Sequence, residues 1–189
     1  MKKIAVFASG NGSNFQAIID EIERKSLLAE VALLVTDKPD CFAVKRANRH
    51  NIPVFSFNPK NYSSKEMYEK EIASLLIEKN VSLIVLAGYM RLIGSVLLST
   101  FSNRIINIHP ALLPAFLGKN GIQQAYDYGV KIFGVTVHYV DEGIDTGKII
   151  AQECFKADGT ETLQQIEEKI HTIEHQLYPK VIKEIILHC

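Results

Sequence analysis

Short apolar segments recur along the N-terminal part of the chain, and stretches with the spacing of amphipathic helices separate them. Such alternation predicts strand–helix–strand units, which build a mostly parallel, twisted sheet through right-handed crossovers and place helices on both of its faces. The predicted strands are residues 4–8, 31–36, 53–57, 83–86 and 104–109, and the predicted helices are residues 15–24, 40–50, 64–79 and 95–101. We therefore expect an α/β fold.

The pattern changes after residue 109. Two prolines and two glycines within residues 110–121 predict a loop, and a short helix is expected over residues 122–128. Two later apolar segments, residues 135–140 and 149–155, are joined by an acidic turn. This arrangement predicts an antiparallel pair of strands at the edge of the sheet.

Two features of the C-terminal part carry more specific expectations. Thr136 and His138 alternate with apolar residues, as in a strand with one exposed face. A long final helix is expected to begin at Thr160 or Thr162. Pro179 should break or kink this helix, because proline removes a backbone donor and crowds the preceding turn.

The composition limits the kinds of partner. The 189 residues suit one domain with an adequate core, and the 21 basic and 21 acidic side chains cancel. Without a net field we expect neither a nucleic-acid nor a membrane partner, so an anionic ligand must be held by local donors. Cys41, Cys154 and Cys189 are scattered, which predicts free thiols. With no recognisable signal peptide or segment of transmembrane length, these features predict a cytoplasmic protein.

A glycine-containing turn, Ser9 to Asn14, follows the first predicted strand and opens the first helix. Backbone N–H groups at such a turn can bind an anion, and Gly10 and Gly12 permit close approach of a phosphate. The dinucleotide fingerprint fails because Phe15 replaces its third glycine, and no lysine completes a Walker loop. The turn therefore predicts a site for a single phosphate, and a plain βα turn is the alternative.

Asn107 and His109 lie on one side of the fifth predicted strand, while Ile106 and Ile108 lie on the other. Pro110 should end the strand, which leaves two polar side chains at its C-terminal end, where open α/β sheets bind ligands. Two interpretations remain open from this segment alone, a functional pair and a core histidine with satisfied hydrogen bonds.

Acyl transfer to an amine passes through a tetrahedral oxyanion, which the amide of Asn107 and a protonated His109 could stabilise. Asp145, on an acidic turn flanked by glycines, could orient and charge this histidine if the fold brings the two together. No serine or cysteine nucleophile with a recognisable elbow accompanies them. This favours direct transfer between two bound substrates.

The run His171, Thr172, Ile173, Glu174, His175 has the spacing of an inverted zinc-protease motif. No further ligand is identifiable and little chain follows. A helix end that faces solvent or a ligand is therefore the preferred interpretation, with no metal. Asp37 follows the second strand, where dinucleotide enzymes hold a ribose, and is interpreted as a loop residue because the fingerprint is broken.

The motifs together resemble the phosphoribosylglycinamide formyltransferases, or GAR transformylases. The resemblance covers nearly the whole chain and rests on residues 9–14, 86–91, 107–114, 134–138 and 141–147. The middle segments resemble the wider family that uses 10-formyltetrahydrofolate, and the first is more specific to the ribonucleotide enzymes. The resemblance implies a Rossmann-like fold and formyl transfer from 10-formyltetrahydrofolate to the amine of glycinamide ribonucleotide in purine biosynthesis, without a metal.

The resemblance also assigns roles to residues. It implies a catalytic trio of Asn107, His109 and Asp145, a ribonucleotide site of Gly12, Ser13, Asn14 and Glu174, and a folate site of Lys65, Met90, Arg91, Leu92, Ile93 and Asn107. Residues 90–93 would form the wall of the folate pocket through backbone groups, and Lys65 would lie near the anionic folate tail. The role of His138 is left open between support of the site and packing.

The sequence departs from the family pattern after Leu113 and Pro114, because residues 116–121 lack the usual proline and histidine. It also lacks the second domain of the related enzyme that acts on initiator tRNA. We expect a single domain, residues 1–189, with a nucleotide-phosphate half (1–103) and a catalytic and folate-binding half (104–189), working as a monomer or weak homodimer. A nicotinamide-dependent oxidoreductase using Asp37 and a non-catalytic nucleotide-binding module are the competing hypotheses.

Overall fold

The computed structural model describes residues 1–188, so the Cys189 thiol lies outside the described part. The strands are β1 Lys2–Phe7, β2 Ala29–Thr36, β3 Val54–Ser56, β4 Leu83–Leu86, β5 Ile105–His109, β6 Ile132–Tyr139 and β7 Ile149–Lys156. The helices are α1 Ser13–Glu23, α2 Phe42–Arg49, α3 Lys65–Glu78, α4 Ser95–Thr100, α5 Gly121–Tyr128 and α6 Leu163–His188. No helix within residues 1–188 is long and apolar enough to cross a bilayer.

All seven strands belong to one sheet, in the order β3-β2-β1-β4-β5-β6-β7. Strands β1 to β5 are parallel to one another, whereas β6 runs antiparallel to β5 and β7 antiparallel to β6. The predicted α/β class, with a mostly parallel sheet and an antiparallel edge, is confirmed. Strand order reverses at β1, which pairs with both β2 and β4, and such a switch point is where open α/β sheets bind ligands.

Helices cover both faces of the sheet, and alternate residues of each strand therefore enter different apolar clusters. In β1, Ile4 and Val6 pack with Phe15 of α1, whereas Ala5 and Phe7 pack on the opposite side. Strands that are buried on both faces have nearly continuous apolar sequences, which explains why the parallel strands could be predicted.

Two expectations about the C-terminal part, an exposed face of β6 and a break of α6 at Pro179, are wrong. A kink at Pro179 stays a prediction. Strand β6 has no exposed face at its centre, since Thr136 is 0% and His138 2% exposed between β5 and β7. The Thr136 hydroxyl donates to Ala111 O and accepts from Leu113 N–H, so its burial is compensated. Helix α6 also continues through Pro179, because burial of its apolar face offsets the roughly 3 kcal/mol that an interior proline costs.

Candidate active site

The C-terminal end of β5 presents polar side chains on the face opposite Ile106 and Ile108. Ile106 and Ile108 are buried in one apolar cluster, whereas Asn107 is half-buried and His109 is 4% exposed. The antiparallel register with β6 places His138 directly across from Asn107. The pairing of β5 with β6 thus brings an amide and two imidazoles together.

The turn between β6 and β7 brings a carboxylate to these side chains. Asp145 adopts a left-handed backbone conformation with φ 55°. Its Oδ2 lies 3.3 Å from His109 Nδ1, and its Oδ1 accepts a hydrogen bond from Asn107 Nδ2 at 3.3 Å. The three residues that sequence reasoning proposed as a unit therefore lie in contact, although they come from separate segments.

Both ring nitrogens of His109 face acceptors. Nδ1 faces the carboxylate of Asp145, and Nε2 lies 2.8 Å from the carbonyl oxygen of Phe116. A neutral imidazole has one N–H and can satisfy only one of these acceptors, whereas an imidazolium satisfies both. The surroundings of His109 thus place an acceptor at each ring nitrogen, and Asp145 fixes the orientation of the ring.

Asp145 is held as an anion. Burial by itself would raise the pKa of this carboxyl, but the His138 ring, the Gly118 N–H and the charge of His109 together lower it below its ordinary value. The Gly118 N–H donates to Asp145 Oδ2 at 2.8 Å. Residues 116–118 therefore contact both members of the histidine–carboxylate pair, so the loop that departs from the family pattern lies directly on the site.

His138 also belongs to this cluster. The sequence had left its role open between support of the site and packing. Its Nδ1 donates to the carbonyl oxygen of Tyr139 at 2.8 Å. Its Nε2 lies 3.3 Å from Asn107 Nδ2. Asp145 Oδ1 lies 3.5 Å from the same nitrogen. His138 thereby helps to fix the orientation of the Asn107 amide.

A small cleft of about 90 Å³ opens beside these residues. The irregular segment after β4 contributes Arg91, Leu92 and Ile93 to its lining, which also includes Asn107 and Asp145. Three of the proposed folate-wall residues therefore meet the proposed catalytic residues.

The remaining two residues proposed for the folate site lie outside the lining of this cleft. Met90 is largely exposed, and its N–H donates to Ser9 Oγ at 3.0 Å. Lys65 is the first residue of α3, with Nζ 4.0 Å from Glu69 Oε1. Its Cε would lie 2.8 Å from a Cβ at Gly94, so Lys65 is close to the end of the wall segment.

The turn after β1 exposes the start of α1. Gly12 has φ 75°, and a Cβ there would lie 2.9 Å from Ala43 Cβ, so glycine is required. Within the described residues no side chain caps α1, and Ser13 and Asn14 are its first residues. Their N–H groups are among those that a helix cannot satisfy internally. Asn14 Oδ1 is buried without a partner in residues 1–188. The turn thus has donors for an anion.

Arg46 of α2 holds this turn, and sequence reasoning did not identify it. Its Nε and Nη2 donate to the carbonyl oxygen and Oδ1 of Asn11 at 3.0 and 2.9 Å, and Nη1 donates to Gln16 Oε1 at 3.1 Å. These partners lie about thirty residues away in sequence. The amphipathic pattern of α2 carries no signal that distinguishes Arg46 from its basic neighbours.

Asp37 lies in the loop after β2, as the sequence interpretation has it, and its side chain makes contacts within the protein. It is 7% exposed, accepts a hydrogen bond from Ser9 Oγ at 2.6 Å and pairs with Arg91 Nε at 2.9 Å. Both carboxylate oxygens are engaged, so the acid on which the oxidoreductase hypothesis depends is committed to protein contacts.

Glu174 lies on α6, which packs against α1, and is buried. His171 Nδ1 lies 2.8 Å from Glu174 Oε2, and this hydrogen bond raises the pKa of His171. Burial lowers the pKa of His175, whose Nε2 has no partner within residues 1–188.

No cluster of three or more metal-ligating side chains is found in the described part of the chain. A groove of about 660 Å³ between α1 and α6 is lined by both Ser13 and His175.

Comparisons with known proteins agree with this architecture. The sequence pattern of the formyl transferase family matches residues 2–182. A phosphoribosylglycinamide formyltransferase of Bacillus subtilis (strain 168) is 53% identical over 98% of this chain and 95% of its own length. The crystal structure of glycinamide ribonucleotide transformylase 1 from Geobacillus kaustophilus is 54% identical, covers 98% of both chains and superposes with a TM-score of 0.95. The chain also matches part of the trifunctional purine biosynthetic protein adenosine-3 of Drosophila melanogaster. The two are 36% identical over 98% of this chain and 14% of that protein.

The match over residues 2–182 and the 53% identity over nearly the whole chain show that the chain belongs to the formyl transferase family. Within that family, the relatives that it matches over nearly their full length include the phosphoribosylglycinamide formyltransferase of Bacillus subtilis and the glycinamide ribonucleotide transformylase of Geobacillus kaustophilus.

Proposed function

We propose that the protein transfers the formyl group of 10-formyltetrahydrofolate to the amine of glycinamide ribonucleotide, a step of purine biosynthesis. The observation that carries this proposal is the convergence of Asn107, His109 and Asp145 beside a cleft lined by residues 91–93. The family match and the names of the full-length relatives support the same assignment.

The reaction needs stabilisation of one developing negative charge. As the amine attacks the formyl carbon, a C–N bond forms and the carbonyl becomes an oxyanion, to which Asn107 and the charged His109 donate hydrogen bonds. The bond to the folate nitrogen then breaks with its electron pair on that nitrogen. The proton lost by the amine balances the proton that the folate nitrogen takes up, and Asp145 keeps His109 oriented as the donor.

The two substrates would lie along one edge of the sheet. The ribonucleotide phosphate would contact the turn of Gly12, Ser13 and Asn14, with Glu174 as a further contact. The folate would lie along residues 90–93, with its reacting end at the cleft. Residues 1–103 and 104–189 then form one domain with a phosphate-binding half and a catalytic half, although both halves line the cleft. The absence of metal, nucleic-acid and membrane partners, and a monomer or weak homodimer, stay predictions.

The proposal is tested by mixing the purified protein with glycinamide ribonucleotide and a 10-formyl folate and following deformylation of the folate optically. Turnover that requires both substrates is the expected result. Folate that remains formylated over an extended incubation, with folded protein, would overturn the assignment. Binding of NAD(H) in place of the folate would favour the oxidoreductase hypothesis.

Asn107→Ala should lower kcat by about 10²–10³-fold, the usual loss for one oxyanion donor. The KM of each substrate should change much less, because the amide contact strengthens only when charge develops. Steady-state rates of the purified variant measure both constants. Asn48→Ala, at an exposed position of α2, is the matched control. A kcat equal to that of the unchanged protein would exclude the oxyanion role of Asn107.

Arg46→Met should raise the KM for glycinamide ribonucleotide by about tenfold and leave kcat and the folate KM nearly unchanged, because it removes the hydrogen bonds to Asn11 and Gln16 that fix the phosphate turn. Initial rates with each substrate varied in turn separate these constants. Arg49→Met, exposed on the same helix, controls for the loss of charge. An unchanged ribonucleotide KM would mean that the turn keeps its shape without the arginine.

A further inference from the structure

Residues 87–94 connect β4 to α4 and have no helical or strand ladder of their own. They nevertheless carry Arg91, Leu92 and Ile93 to the cleft beside Asn107. Backbone groups without a ladder must be fixed by other contacts if they are to hold a definite shape. The question is therefore which residues outside the segment determine its conformation.

One anchor comes from the ends of β1 and β2. Ser9 Oγ accepts from the Met90 N–H at 3.0 Å and donates to Asp37 Oδ1 at 2.6 Å. Asp37 Oδ2 in turn accepts from Arg91 Nε at 2.9 Å. The Asp37 side chain is 3% exposed, whereas that of Arg91 is 37% exposed. A buried carboxylate thus holds the Arg91 side chain through a charge-assisted hydrogen bond, the stronger kind.

A second anchor comes from α3. Glu69 is 2% exposed, and its Oε1 accepts a hydrogen bond from the Gly94 N–H at 2.6 Å. A Cβ at Gly94 would lie 2.7 Å from Glu69 Oε2, so the carboxylate and the backbone are in close contact. Because so little solvent reaches Glu69, burial raises the pKa of its carboxyl. Lys65 Nζ lies 4.0 Å away.

We propose that Asp37 and Glu69 are positioning residues for the folate, an inference that rests on the proposed function because it takes residues 90–93 as the folate wall. Neither carboxylate lines the cleft, yet each holds one point of the segment that does, at Arg91 and at Gly94. Buried ion pairs add little net stability compared with apolar packing. What these carboxylates supply is a fixed conformation of an otherwise irregular segment.

The experiment compares Asp37→Asn, Glu69→Met and Glu69→Gln with the unchanged protein. Asp37→Asn removes the charge that holds Arg91, and Glu69→Met removes the acceptor for the Gly94 N–H. Each should raise the KM for the 10-formyl folate by about tenfold and leave kcat and the ribonucleotide KM within about twofold. Glu69→Gln keeps an oxygen acceptor and should restore the folate KM. Lys38→Met, exposed beside Asp37, is the control.

Calorimetric binding of a stable folate analogue distinguishes failure of this inference from failure of the proposed function. If the unchanged protein binds the analogue and the Asp37 and Glu69 variants bind it equally well, the positioning role is wrong and the function stands. If kcat and the melting temperature fall, both KM values rise and Glu69→Gln gives no rescue, the two residues have only a structural role. If the unchanged protein neither binds the analogue nor turns over, both proposals fall.

Discussion

His109→Ala is expected to reduce kcat by about 10²–10⁴-fold, the range that a positioned proton donor contributes. The reason lies in the geometry of its ring, with Nδ1 facing Asp145 Oδ2 at 3.3 Å and Nε2 placed 2.8 Å from the carbonyl oxygen of Phe116. That carbonyl occupies the direction in which a substrate oxygen would be contacted. Alanine supplies neither a hydrogen bond nor a positive charge at this point.

Single-turnover and steady-state rates at saturating substrate measure the effect of this change. Because His109 is nearly buried, alanine leaves a cavity, so His109→Gln is the second variant and thermal melting verifies that both fold. His188→Ala, at the exposed end of α6, is the control. A folded His109 variant with the full rate would remove the imidazole from the mechanism.

Asp145→Asn is expected to lower kcat by a similar factor, about 10²–10⁴-fold, because His109 loses the anion that orients and charges it. Asparagine is chosen because it tolerates the left-handed conformation at φ 55°, so the turn between β6 and β7 should be kept. It also retains an oxygen that can accept from the Gly118 N–H. The variant thus removes the charge and preserves the shape.

The rate of Asp145→Asn is best measured across the neutral pH range. The pKa of Asp145 is lowered, so the carboxylate remains ionised there and its own protonation should add no acid limb to kcat. Any change of the pH profile in the variant therefore arises from other groups of the site, of which His109 and His138 contact Asp145. Asp127→Asn, exposed on α5, is the matched control. A variant that keeps both the rate and the pH profile of the unchanged protein would contradict the assignment.

The fold could be predicted from the sequence where burial alone determines the pattern. Strand β4 has the predicted limits, Leu83–Leu86, because its residues are buried on both faces and its sequence is continuously apolar. The positions of Asn107 and His109 opposite Ile106 and Ile108 followed from the two-residue period of a strand. The antiparallel edge followed from the short acidic turn that joins β6 to β7.

Features that depend on partners distant in sequence could not be predicted. The polar side chain of Thr136 indicated exposure, but its hydrogen bonds to residues 111 and 113 compensate for burial. The contacts of Asp37, Glu69 and Arg46 could not be predicted either, since each residue acts through a segment at least 25 residues away. Hydropathy describes how much surface a residue can bury, whereas the roles of these residues depend on the partner with which each forms a hydrogen bond in the folded chain.

The pairing of β5 with β6 has a consequence for how this protein can vary. Asn107 lies opposite His138, and the isoleucines on either side point into the apolar interior. Inserting or deleting one residue in β5 would exchange the two sides, so that the amide and the imidazole would point into the apolar cluster that now holds Ile106 and Ile108 and away from the cleft. Variation between Ile105 and His109 is therefore restricted to replacement of side chains at constant length.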